Sequence, residues 1–208
     1  MNALELIQPG ALVFDVGANA GEKTAQYLSR GASHVVCFEP QPAVASRLRD
    51  RFAHDDRVVV EQLALSAEVG AADLILCDES DHLATLEPRW TAGRFHAQTW
   101  QRRVRVALDT LDRMIAKYGR PEFLKIDVEG HEARVLLGLT SAVPCLSFEY
   151  VREFSPEAET CAARCAALGM TEFNVGRFDS DDLTLTEWVD LCFIPRENGG
   201  DIYARVPR

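Results

Sequence analysis

Positive charge is in short supply in this chain. Its 22 lysines and arginines stand against 32 aspartates and glutamates, a formal charge of −10. Proteins that track nucleic-acid phosphates neutralise them with clustered basic residues, so neither nucleic acid nor an anionic membrane surface is expected as a partner. Also missing are a basic N-terminal segment leading into an apolar run, and any apolar stretch of membrane-spanning length. No two cysteines are spaced C-x-x-C. Cys37, Cys77, Cys145 and Cys192 fall within apolar runs, where cysteine behaves as a small core residue. Cys161 and Cys165 share a face of an expected helix, but no further ligands lie nearby, so buried thiols are expected rather than a metal centre. These absences predict a reducing, cytoplasmic setting. What remains is 208 residues, 47% hydrophobic and 26% charged. That is ordinary for a globular protein and suffices for one buried domain over 1–208.

Residues 13–39 organise the rest. An apolar run at 11–16, broken only by Asp15, has the length of a buried strand. Gly17 and Gly21 bracket a short turn, residues 22–30 read as a helix, and 34–38 form a second apolar run ending in Glu39-Pro40. Strand, glycine turn, helix, strand and acid make a βαβ unit able to hold a nucleoside, with the carboxylate accepting hydrogen bonds from two ribose hydroxyls. A dinucleotide site wants glycines at positions 17, 19 and 22, where this chain has Gly17, Asn19 and Glu22. Glu22 sets a negative charge where a pyrophosphate would meet the helix N-terminus. The pattern D-x-G-x-x-x-G suits a cofactor without phosphates, and S-adenosylmethionine is the expected one.

The alternation continues. Residues 42–52 carry a helical stripe of Val44, Leu48 and Phe52, followed by strands at 58–60 and 73–77. This β-α-β-α-β order predicts a mostly parallel, doubly wound sheet with helices on both faces. Residues 78–103 break the rhythm. Trp90, Phe95 and Trp100 stand there among Arg89, Arg94, His82 and His96, which reads as a lid or acceptor-binding insertion, or as a segment packed on itself or on a second subunit. A strand at 104–108, a helix capped by Asp109, a fourth core strand at 123–127, a helix to residue 139 and a fifth strand at 145–149 follow. A helix at 156–168 precedes a β-rich end at 171–175, 183–189 and 202–206.

Asp127, Glu129, His131 and Glu132 cluster where the fourth strand gives way to a helix. Ligands of doubly wound sheets bind at the carboxyl ends of strands, and Asp15, Glu39 and Asp127 all close apolar strands. Asp127 or Glu129 is expected to pair with the ammonium of the cofactor's methionine part. The other is then free to take a proton from an acceptor hydroxyl, with His131 the alternative base. Glu132 suits the first turn of a helix for stability alone. Lys125 reads as a strand residue whose head escapes to solvent. Successive residues of a helix start rarely converge on one ion, so no metal is expected.

The stretches 15–21 and 38–40, and above all 124–132 (L-K-I-D-V-E-G-x-E), resemble the FkbM-type methyltransferases. Residues 63–66 and 110–112 are similar to that family's spacing. The resemblance implies a Rossmann-like class I methyltransferase fold, S-adenosylmethionine as methyl donor, and O-methylation of a sugar or secondary metabolite. The small-molecule acceptor is thus glycosylated or hydroxylated; N-methylation of a peptide or amide side chain, or a catalytically silent cofactor-binding protein, is the alternative. It implies that Gly17, Asn19 and Glu39 hold the cofactor, that Leu63 and Ala64 contact adenine, and that Asp127 sits beside the methionine end. With little chain before the first strand, an N-terminal acceptor element is expected to be missing.

Overall fold

Apolar runs of strand length alternate with helical stripes, and they assemble into a layered α/β structure. The computed structural model describes residues 2–92, 95–178, 180–190 and 199–207, without the side chain of Glu153. After a 3-10 turn at Ala3–Leu6 come β1 (Leu12–Val16), α1 (Glu22–Ser29), β2 (His34–Phe38), α2 (Pro42–Arg51) and β3 (Val58–Glu61). Next are β4 (Ala64–Leu65), β5 (Gly70–Leu76), β6 (Arg102–Asp109), α3 (Leu111–Tyr118), β7 (Phe123–Ile126) and α4 (Glu132–Leu137). β8 (Cys145–Val151), α5 (Ser155–Ala167), β9 (Glu172–Arg177) and β10 (Gly199–Arg205) complete the order.

Seven strands form one sheet in the order β3-β2-β1-β7-β8-β10-β9. The first five run parallel, and β10 inserts antiparallel between β8 and β9. The chain winds outward from β1 through β2 to β3, then returns to β7 on the other flank. The strand order therefore reverses between β1 and β7, where an open α/β sheet leaves a crevice beyond its carboxyl edge.

Strand side chains alternate between two buried faces. Phe14, Val16, Val36, Phe38, Leu124 and Ile126 pack with α3, α4 and α5 on one side. Val13, Val35, Cys37 and Phe123 pack with Tyr27, Leu28 and Leu48 on the other. Phe14 and Phe38 meet edge to face at 5.3 Å, and each fully buried ring contributes about 1.5–3 kcal/mol of transfer free energy. Among the described residues no helix is long and apolar enough to cross a membrane.

Several expectations need correction. The strand expected at 73–77 is β5, and it leaves the main sheet to pair antiparallel with β6 in a three-stranded sheet that also holds β4. Thr110, not Asp109, caps α3: its hydroxyl accepts the Arg113 N–H, while Asp109 accepts from Thr110 N and Arg113 Nε. Residues 183–189 form only isolated bridges, Leu183 to Gly176 and Val189 to Phe173. Lys125 does not reach solvent. Its strand is covered on both faces, and the residue is 7% exposed. The five described cysteines are buried and form no disulfide; Cys192 and Arg94 lie outside the described residues.

Candidate functional site

A cavity opens at the β1/β7 switch point and encloses about 660 Å³ of non-protein space, part of it open to solvent. The β1–α1 bend forms its floor. Gly17 has φ 81°, and a Cβ there would stand 1.8 Å from the Asp127 carbonyl oxygen. The glycine thus makes room for the neighbouring strand end as well as for a ligand. Asn19 follows at φ 45° and projects its amide N–H onto Glu39 Oε2 at 3.0 Å, while Gln41 N donates to Glu39 Oε1 at 2.8 Å.

Glu39 is 3% exposed. Burial pushes its carboxyl up to about 7, against the two backbone donors that lower it, and Asp81 and Asp15 add to the rise. Each oxygen accepts one protein N–H, and a carboxylate has about four acceptor positions, so capacity is left on the cavity side.

Residues 81–86 cover the cavity at this end. The Asp81 carbonyl accepts from Asn19 Nδ2 at 3.2 Å and from Gln41 Nε2 at 2.7 Å, and the Asp81 carboxylate pairs with Arg47. Asp81, His82, Ala84 and Leu86 face the cavity opposite Leu63, Ala64 and Leu65. Farther along, Trp90 packs against Phe95 and Phe154 in tilted arrangements, with ring centroids 5.3 and 5.1 Å away. Trp100 Nε1 donates to the Phe95 carbonyl at 3.1 Å.

The opposite end is acidic. Lys125 Nζ meets Asp127 Oδ2 at 2.7 Å. Burial alone would lower the lysine, but Asp127, Asp15 and Asp201 together hold it above its ordinary range. Glu129 takes the left-handed φ of 55°, and Thr85 Oγ1 holds its carbonyl at 2.7 Å. Burial first, then Asp127 and Glu132, push the Glu129 carboxyl well above the usual carboxylate range. Glu132 ties the turn together by accepting from Val128 N and Gly130 N, which is a structural task. His131 Nε2 lies 3.1 Å from Ser66 Oγ, and burial with Arg134 nearby lowers the imidazole to about 4.

Of the residues singled out from sequence, Gly17, Asn19, Glu39, Leu63, Ala64, Asp127, Glu129 and His131 share this cavity. Asp15 and Gly21 do not line it. Strand alternation turns Asp15 to the α1 side, where Thr24 Oγ1 donates to its Oδ2 at 2.6 Å and burial raises its carboxyl. Gly21, at φ 83°, is the N-cap of α1. Sequence reasoning missed Gln41, Asp81 and Glu149. Glu149 had a usable signal, since the apolar run from Cys145 ends on it in the sequence.

A family model, the methyltransferase FkbM domain, matches residues 15–159. The chain belongs to that family. The FkbM-type chain is 25% identical over 150 residues to a hexuronic acid methyltransferase, AglP, of Haloferax volcanii, covering 71% of this chain and 58% of the relative. It is 32% identical over 69 residues to the 2-O-methyltransferase NoeI of Sinorhizobium fredii, covering 33% and 28%. This chain therefore spans about a quarter to three-fifths of those relatives' lengths. Two solved structures share the fold. Methyltransferase FkbM from Methylobacillus flagellatus aligns at a TM-score of 0.59 and 15% identity over 94% of this chain and 43% of that one. Fibrillarin from Aeropyrum pernix, solved with natively bound S-adenosylmethionine, aligns at 0.52 and 13% over 95% and 67%. The Rossmann-like class I fold expected from sequence is thereby established, and S-adenosylmethionine is the cofactor that goes with the family.

Proposed function

We propose that this FkbM-type domain is an S-adenosylmethionine-dependent O-methyltransferase acting on a sugar hydroxyl. The observation that carries the reading is Glu39: a buried carboxylate held by Asn19 and Gln41 N–H groups, with acceptor capacity facing the cavity. Two vicinal ribose hydroxyls fit that capacity, and a phosphate would be repelled. Leu63, Ala64 and Leu65 supply an apolar wall for adenine. The methionine end then falls toward Asp127, where negative charge suits an ammonium and a sulfonium.

Methyl transfer is an in-line displacement at carbon. The acceptor oxygen forms the new C–O bond as the C–S bond breaks, S-adenosylhomocysteine leaves, and the acceptor proton must go to a base. Glu129 is that base in this reading: its carboxylate lines the cavity, and burial raises its affinity for a proton above that of an ordinary glutamate. His131, lowered to about 4 and bonded to Ser66, is better placed to orient the acceptor. A sugar acceptor is supported by the two relatives named for hexuronic acid and 2-O-methylation. The test is a mass-spectrometric screen of sugars, uronic acids and their glycosides with purified protein and S-adenosylmethionine. A gain of about 14 Da on a hydroxyl, one CH₂ by mass, is expected. Methylation of amide or amine acceptors alone would contradict the reading.

A further inference from the structure

Glu129 carries a full side chain on a left-handed backbone, φ 55°. That conformation is unfavourable for any residue but glycine, and it persists only where the surroundings impose it. Here the peptide joining Glu129 to Gly130 is held at both ends. Its N–H donates to Glu132 Oε1 at 3.2 Å, and its carbonyl accepts from Thr85 Oγ1 at 2.7 Å. Glu132 belongs to the same turn, whereas Thr85 stands 44 residues earlier in the chain.

Thr85 is itself pinned. Its backbone exchanges two hydrogen bonds of 2.9 Å with Ile75 of β5, and the residue is wholly buried. Glu87 N donates to the hydroxyl oxygen at 2.8 Å, so the oxygen's accepting role is filled. The hydroxyl proton goes to the Glu129 carbonyl at 2.7 Å rather than to the Glu87 carbonyl at 3.4 Å. A second contact comes from the same segment. A Cβ on Gly130 would stand 2.8 Å from Trp90 Cε3 and 3.5 Å from Glu87 Cβ, so indole and turn backbone touch directly.

We infer that Thr85 is the positioning residue for Glu129: its hydroxyl fixes the 129–130 peptide, and with it the left-handed backbone that carries the Glu129 carboxylate into the cavity. The Ile75 bridge explains how a strand outside the main sheet serves the site, since it brings Thr85 to the end of β7. That Glu129 takes an acceptor proton rests on the O-methylation reading; that Thr85 holds it does not. Without the hydroxyl the turn is free to relax toward an ordinary backbone, and the carboxylate to leave its setting. That setting comprises Asp127 and Lys125 from the β7 end, Glu132 of α4, Glu149 of β8, and His131 on the same cavity wall. Glu87, paired with Arg89, stands beside Gly130. Burial first, then Asp127 and Glu132, raise the Glu129 carboxyl, and Lys125 opposes them, so departure returns it toward 4.5.

Carbon-13 NMR of carboxyl-labelled glutamate, with the Glu129 signal identified by its loss in Glu129→Gln, reads that carboxyl directly. Thr85→Val keeps the shape and removes the hydroxyl. Its Glu129 titration midpoint should fall at least about one pH unit below the parent's. Thr85→Ser returns the hydroxyl and should return the parent's midpoint, which loss of shape alone does not predict. Should Thr85→Val not fold, Thr85→Cys, a weaker donor, should place the midpoint between the parent's and 4.5. On a sugar methylated in the screen, kcat should follow the midpoint, at least about tenfold lower in Thr85→Val and recovered in Thr85→Ser. An unchanged midpoint in folded Thr85→Val or Thr85→Cys, or a Thr85→Ser midpoint as low as that of Thr85→Val, would overturn the inference. A lowered midpoint in a chain that methylates no sugar supports the positioning and sinks only the O-methylation reading.

Discussion

The two ends of the cavity are built on opposite principles. At the Glu39 end the chain ties its own polar groups together: Asn19 and Gln41 donate to the carboxylate, and their side-chain amides bind the Asp81 carbonyl above it. At the Asp127 end, one lysine faces several acids, and Glu129 and Glu149 receive no side-chain hydrogen bond among the described residues. The first arrangement is rigid before any ligand arrives, which suits a cofactor used in every turnover. The second keeps unmet charge for a cationic or proton-donating visitor. Electrostatic stabilisation is strongest where such unmet charge is already fixed in a desolvated site.

That contrast is open to attack by mutation. The largest expected effect is on turnover: Glu129→Gln should lower kcat about 10²–10⁴-fold, the usual range for a positioned base, with little change in S-adenosylhomocysteine affinity. Equal losses in both would erase the distinction between the ends. Next, Gly17→Ala should destabilise the fold by roughly 2–4 kcal/mol, because the new Cβ meets the Asp127 carbonyl and the backbone is left-handed. A chemical-denaturation midpoint within error of the parent would contradict that close approach.

Acidity gives a third, subtler handle. Glu39 holds its proton more tightly in the folded protein than the ordinary value of 4.5, up to about 7. Its folded-state pKa is raised, so its contribution favours the apoprotein below about pH 4.5 and is lost as pH rises through 7. Cofactor binding runs the other way, since two hydroxyls donate best to the ionised form. Affinity for S-adenosylhomocysteine should plateau above pH 7 and weaken below it, by up to about tenfold per unit, and Glu39→Gln should flatten the profile. The smallest effect is expected at the roof. The Arg47–Asp81 pair is solvent-exposed, so Arg47→Ala should speed S-adenosylhomocysteine release only about two- to fivefold, with high salt mimicking the change.

The Glu39 end was legible in the sequence because it is local. A strand, a glycine bend, a helix and an acid fall within 27 residues, and each has a backbone reason to be where it is. The acid end was half legible. Asp127 and Glu129 announce themselves in one short motif, but Glu149 joins them only because β8 pairs with β7, a contact that no local spacing encodes. Lys125 misled for a related reason: alternation in an isolated strand suggests a solvent face, whereas a parallel strand in mid-sheet has none. The pairing of β5 with β6 was hidden by the 25 residues between them, a separation that no local periodicity bridges.

The direct test of the central claim is calorimetric binding of S-adenosylhomocysteine to the parent and to Glu39→Ala at pH 8, with circular dichroism confirming the fold. Loss of two charge-assisted hydrogen bonds should weaken binding by at least about tenfold. An unchanged affinity in a folded Glu39→Ala protein would contradict the account.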